Sequence, residues 1–142
     1  MKKFKKGSWH LKIFVNFDID KYGKPSRRRG PHYIYWEDFY VASEEEGFKL
    51  SLGLAAYSYH LPDYGPNPMD KSKGMKFSTE DRNNDGNCAR SFGGGWWHGH
   101  EKCFSVCLNC QRDLAVAQGQ GLFYDGIDEI PSESKMWARY ID

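Results

Sequence analysis

The chain has 142 residues, a net charge of +1 and 39% hydrophobic residues. That length suits one domain and one core. The near-neutral balance excludes a field that would draw the protein to nucleic acid, and no apolar run approaches the roughly 18 residues of a membrane span. Nine Phe, nine Tyr and five Trp outweigh the aliphatics. The core must therefore be aromatic, with hydroxyl and indole groups that need partners.

The first six residues carry four lysines. They resemble the basic start of a signal peptide, but Lys12, Asn16 and Asp18 interrupt the segment that follows, so no signal peptide is expected in this chain. In 11–18, Leu11, Ile13, Val15 and Phe17 alternate with Lys12, Phe14 and Asn16, a strand with one buried face. A glycine- and proline-marked loop over 21–31, with Arg27, Arg28 and Arg29, follows and reads as solvated. Residues 33–41 are β-branched and aromatic, a second strand. Residues 48–52 alternate as a third. Residues 53–73 hold Pro62, Gly65, Pro66 and Pro68 and read as a long irregular loop, uncommon unless functional. Over 104–117 a helical spacing competes with loop. Residues 136–141 form a last strand, with Met136, Ala138 and Tyr140 on one face.

The acidic runs at 44–46 and 125–129 have no matched acid–base partner and read as solvated charge. There is no nucleophile elbow, and Gly93, Gly94 and Gly95 lead into tryptophans rather than a phosphate-cradling helix. No enzyme is expected.

Residues 74–97 are the densest in information. Gly74, Met75, Phe77, Ser78 and Thr79 precede an Asp/Asn-rich loop from Asp81 to Asp85. Asn87, Cys88 and Ala89 follow, then Gly94, Gly95, Trp96 and Trp97, with Cys103, Leu108 and Asn109 further on. This order resembles the signature of the fibrinogen C-terminal domain family, G-M-x-F-[ST]-T, D-x-D-N-D, N-C-A, G-G-W-W, a second cysteine and L-N. Phe48, Lys49, Leu50, Ser51, Leu52 and Gly53 resemble another family element, and 121–127 a late one. The likeness runs from about residue 9 to the end.

The resemblance implies an α+β fold, a twisted, mainly antiparallel sheet with short helices and long loops, over 1–142 as a single reduced domain. A segment that usually precedes the first strand is missing, which would leave strand edges exposed. It also implies secretion, and non-catalytic recognition of an acetylated glycan or an extracellular protein, as in lectins such as ficolins and tachylectins. Self-association is compatible with it.

The site residues follow from the same resemblance. The family pairs the cysteines that map to Cys88 and Cys103, although the sequence alone allows three connectivities. It binds calcium at a loop that maps to Asp81, Asn83, Asp85 and Asn87. Here Asn83 removes one charge and the loop is shorter; an Asn/Asp turn closed by its own side chains is the plainer reading. The acetyl pocket maps to Trp97, His98, Lys102, Cys103, Phe104 and Tyr124, next to the calcium loop, with a cis peptide expected at Lys102–Cys103. Phe104 stands where the family has a histidine. Core packing competes for both indoles, and at least one of Trp96 and Trp97 is expected to do only that. Cys107 and Cys110 lie outside the family pattern. With His98, His100 and Cys103 they offer ligands for a structural zinc, the alternative reading as a zinc-stapled or purely structural interaction module.

Overall fold

The computed structural model describes residues 6–17, 24–25, 31–57, 69, 71–82, 86–99, 103–104, 106–118 and 131–142. Six strands and two short helices lie among them. They are β1 (Ser8–Asn16), β2 (Pro31–Trp36), β3 (Tyr40–Val41), β4 (Leu50–Ser51), β5 (Ala55–Tyr57), α1 (Cys88–Phe92), α2 (Arg112–Ala117) and β6 (Glu133–Ile141). A single 3-10 turn, Glu44–Glu46, adds an exposed acidic knuckle.

The main sheet has four strands in the order β5-β2-β1-β6, all neighbours antiparallel. The alternation read from the sequence sets its register. Leu11 lies opposite Trp36 and Ile13 opposite Ile34, so apolar side chains meet on one face. With Val15 and Phe17 they are buried against Leu50, Leu52, Met69, Phe92, Trp96 and Phe104. Pro31 opens β2, the place in a strand where a missing N–H costs least.

Several elements differ from the sequence expectation. The segment 33–41 is two strands. β2 ends at Trp36, Asp38 takes φ 53°, and the chain re-enters a second, two-stranded sheet as β3. The break is held by backbone bonds from Glu37 N to Leu54 O and from Gly53 N to Glu37 O, 3.1 and 2.7 Å long. The third strand shrinks to Leu50–Ser51, because Phe48 has φ 54° and leaves the extended region. The expected irregular stretch 53–73 contains β5, which closes the sheet beside β2; 58–68 lies outside the described residues. The last strand begins earlier, at Glu133, and pairs along the length of β1. In 104–117 the helix is real but short, α2, after a turn at 107–110. Helix α1 has no apolar period long enough to announce it. The loops at 21–23 and 26–30, and the segment 121–127, lie outside the described residues.

Among the described residues, no helix is long and apolar enough to cross a membrane.

Candidate functional site

The signature stretch folds as a series of turns pinned to one another. Ser78 and Trp96 form an antiparallel bridge, with Ser78 N donating to Trp96 O at 2.9 Å and Trp96 N to Ser78 O at 3.1 Å. Helix α1 runs only five residues and stops at Gly93, φ 70°, the left-handed position that glycine fills without strain. Gly94 follows, so close to the Asn109 carbonyl that a Cβ there would lie 2.8 Å from its carbon and 3.2 Å from Cys110 Cα.

The turn that Gly94 meets is tied down by three further bonds. Asn109 Nδ2 donates to Gly95 O at 3.0 Å, Gln111 N to Phe92 O at 2.7 Å, and Gln118 Nε2 to Ser91 O at 2.8 Å. Two disulfides complete the unit. Cys88 and Cys103 are joined with Cα atoms 5.5 Å apart, and Cys107 and Cys110 with Cα atoms 5.4 Å apart. Of the three connectivities open to the sequence, the one that includes the family pairing is formed. All four sulfurs are in disulfides, so they carry no thiolate, and the zinc staple does not fit this chemistry. Among the described residues, no group of three His, Cys, Asp or Glu side chains converges on a metal-sized point.

The paired indoles have different fates. Trp96 is 3% exposed and belongs to the core. Trp97 is half-buried, and its Nε1 donates to Phe48 O at 2.9 Å. The left-handed turn at Phe48 thus supplies a carbonyl to an indole 49 positions away. Phe77 meets Trp97 edge-on with centroids 5.2 Å apart. Beside these rings opens a cleft of about 330 Å³, lined by Phe77, Trp97, Leu108, Asn109, Lys135 and Met136 among others.

The structure distributes the expected pocket residues unevenly. Trp97 reaches the cleft. His98 and Phe104 are both 0% exposed, so neither lines a surface pocket. Phe104 packs on Phe92 at 4.8 Å and on His98 at 6.0 Å. His98 Nε2 lies 3.0 Å from Gly94 O, and its Nδ1 has no hydrogen-bond partner among the described residues. The physical reason is the Cys88–Cys103 bridge, which draws the chain after Cys103 onto the apolar face of α1. Cys103 is half-buried. Lys102, Tyr124, His100 and the Lys102–Cys103 bond lie outside the described residues. The sequence reading missed Phe77 and Asn109 as cleft residues, although both stand in its signature; their neighbours across space, Lys135 and Met136, sit on a distant strand.

The calcium-loop residues are only partly described. Asp81 and Asn87 are exposed at the two ends of the loop; Asn83 and Asp85 lie outside the described residues. Thr79 Oγ1 donates to Asp81 Oδ1 at 2.6 Å. That hydrogen bond, then one from the backbone N–H of Asp81 itself, holds its carboxyl below the ordinary 3.8. Asn87 O accepts the Ser91 N–H at 2.7 Å, the opening bond of α1, which leaves it one lone pair. Arg82 reaches Glu44 at 3.3 Å, a weak, exposed contact between the loop and the acidic turn.

A pH test follows. A depressed folded pKa contributes stability that is present above the unfolded value and lost as pH falls through the folded one. An NMR titration of the Asp81 carboxyl should give a midpoint under 3.8, and Thr79→Ala should raise it. An unchanged midpoint in that variant would show that Thr79 is not the cause.

With the fold and the site in place, comparisons with known proteins agree on a family. Residues 28–130 match the family described as fibrinogen beta and gamma chains, C-terminal globular domain. The chain belongs to this family. A fibrinogen-like protein 1-like protein of Gallus gallus is 40% identical over 86 residues, 57% of this chain and 30% of that protein. Fibrinogen-like protein 1 of Rattus norvegicus is 32% identical over 130 residues, 84% of this chain and 34% of that protein. The chain thus spans about a third of the length of these relatives. The fibrinogen-like globe domain of human ANGPTL6 superposes with a TM-score of 0.68 at 20% identity, over 96% of this chain and 58% of that one. The fold is therefore the α+β fibrinogen-like globe, with antiparallel sheets and few short helices, represented in part.

Proposed function

We propose that this protein is a secreted, non-catalytic recognition module whose binding surface is the cleft beside Trp97. The observation that carries the reading is the construction of that cleft. Its aromatic wall is fixed by the Trp97–Phe48 hydrogen bond, and its floor by Asn109, which a disulfide-closed turn anchors to the glycine turn. Rigid aromatic faces with a few anchored polar groups suit weak, selective binding of small ligands. Two disulfides support an oxidising, extracellular setting. Domains of this family commonly serve as binding modules.

The ligand proposed is an acetylated glycan. The indole of Trp97 would take the acetyl methyl, with the amide of Asn109 as the polar group beside it. One polar contact of the family's pocket is replaced by buried Phe104, so binding should be weak, with Kd about 1 mM. Titrating the labelled protein with N-acetylglucosamine should shift the Trp97 Nε1–H and Asn109 Nδ2–H resonances, while glucose leaves them in place. No shift up to tens of millimolar would remove the glycan reading and leave a protein partner as the ligand.

Calcium belongs to the same proposal. Asp81, ionised and exposed, would provide the anionic ligand, with Asn83, Asp85 and Asn87 completing the set. Because an ion that binds only the folded state stabilises it, millimolar calcium should raise the melting temperature. Asp81→Asn should abolish the rise. A melting temperature indifferent to calcium would end this part of the reading.

A further inference from the structure

Strand β6 lies at the end of the sheet order, hydrogen-bonded to β1 on one side. Among the described residues, no strand pairs with its other side. Every residue from Glu133 to Tyr140 is exposed, including large apolar groups on both faces, Met136 and Tyr140 on one and Trp137 on the other. A nine-residue edge of this kind is a template for another strand, and proteins usually shorten or cover such edges.

The sequence of β6 complements itself. In an antiparallel pair, residues directly opposite share a face. A two-fold axis through Met136 places Met136 against Met136 of a second copy. It also sets Glu133 against Arg139 twice, Lys135 against Trp137 twice, and Ser134 against Ala138 twice. The paired charges are opposite, and the ammonium of Lys135 meets an indole. A slip of the register by one pair in one direction opposes two Lys135 side chains. A slip in the other opposes Lys135 and Arg139. Both are penalised by like-charge repulsion.

The side chains are free to take these partners. Among the described residues, the Arg139 side chain makes no hydrogen bond or ion pair, and the Glu133 carboxylate pairs with Lys135 of its own strand, at 3.2 Å in an exposed pair of little strength. On the same sheet face, Lys12 is held among the rings of Tyr33, Tyr35 and Trp137 at 4.5, 5.3 and 5.1 Å. That packing restrains Trp137 on the side of β1.

We infer that β6 is the self-association edge of this chain. Two copies join as an isologous dimer by β6–β6 pairing about Met136, which turns two four-stranded sheets into one of eight strands. This goes beyond the recognition reading and does not depend on it.

The test is a charge swap followed by sedimentation from micromolar to near-millimolar protein. The natural chain should dimerise in this range. Glu133→Arg and Arg139→Glu, each alone, should weaken the dimer by roughly tenfold or more, since two pairs turn repulsive at once. The double variant E133R/R139E should regain the natural affinity. An equimolar mixture of the two single variants should associate more tightly than either alone, which also shows that both fold. A chain monomeric throughout would overturn the inference. So would a dimer indifferent to the single changes, or single changes that neither the double variant nor the mixture rescues.

Discussion

Gly94→Ala is expected to be among the most damaging single-methyl additions in this protein, with a loss of about 3 kcal/mol or more. Its Cβ would press on the backbone of Asn109 and Cys110, not on the end of a flexible side chain. Backbone held by a disulfide and by the Gln111 N–H···O bond to Phe92 has little room to retreat. In a domain of this size such a change should lower the melting temperature by about 10 °C. It should also move the Asn109 amide resonance, because the turn that floors the cleft is displaced. Gly74→Ala is the control. Unlike Gly94, it has a positive φ, 80°, but no atom lies within 4 Å of an added Cβ. A loss at Gly74 as large as that at Gly94 would mean that a left-handed backbone costs as much in this protein as the close approach of two backbones.

Removing the Cys88–Cys103 bridge, as Cys88→Ala with Cys103→Ala, should cost about 3 kcal/mol on loop-closure entropy alone for a separation of 15 residues. The bridge also positions Phe104 against Phe92, so the loss should reach the core. Removing Cys107–Cys110, a separation of three, should cost roughly 1 kcal/mol less. Denaturant melts of the two double variants measure the difference. The reverse order of losses would show that the short bridge, by fixing the turn under Gly94, matters more than chain entropy predicts.

The two results bear on different parts of the site. Gly94 governs the approach of two backbones beneath the cleft, and the long bridge governs whether α1 and the segment after Cys103 pack as one unit. Loss of ligand shifts at Trp97 in the Gly94 variant, with the fold retained, would tie recognition to the geometry of this turn.

Local pattern was enough to find β1, most of β2 and β6. Their side chains alternate with a period of two, and one buried face leaves that period plain in the sequence. The ordered signature from Gly74 to Asn109 was enough to identify the family and the Cys88–Cys103 pair, because it combines residues with few substitutes: turn glycines, cysteines and paired indoles. Trp96 and Trp97 carried no local sign of which would be buried. That was decided by the Ser78 bridge on one side and the Phe48 carbonyl on the other. Phe104 and His98 looked like pocket residues by position in the signature, yet the pull of the bridge onto α1 placed both inside. The split of 33–41 rested on Asp38 in a left-handed conformation, stabilised by a partner strand some 15 positions later. Periodicity and motif order are properties of neighbouring residues and survive in one dimension. Burial, the approach of Gly94 to Asn109, and the meeting of Trp97 with Met136 across the cleft depend on segments far apart in the chain, and only their packing in three dimensions decided them.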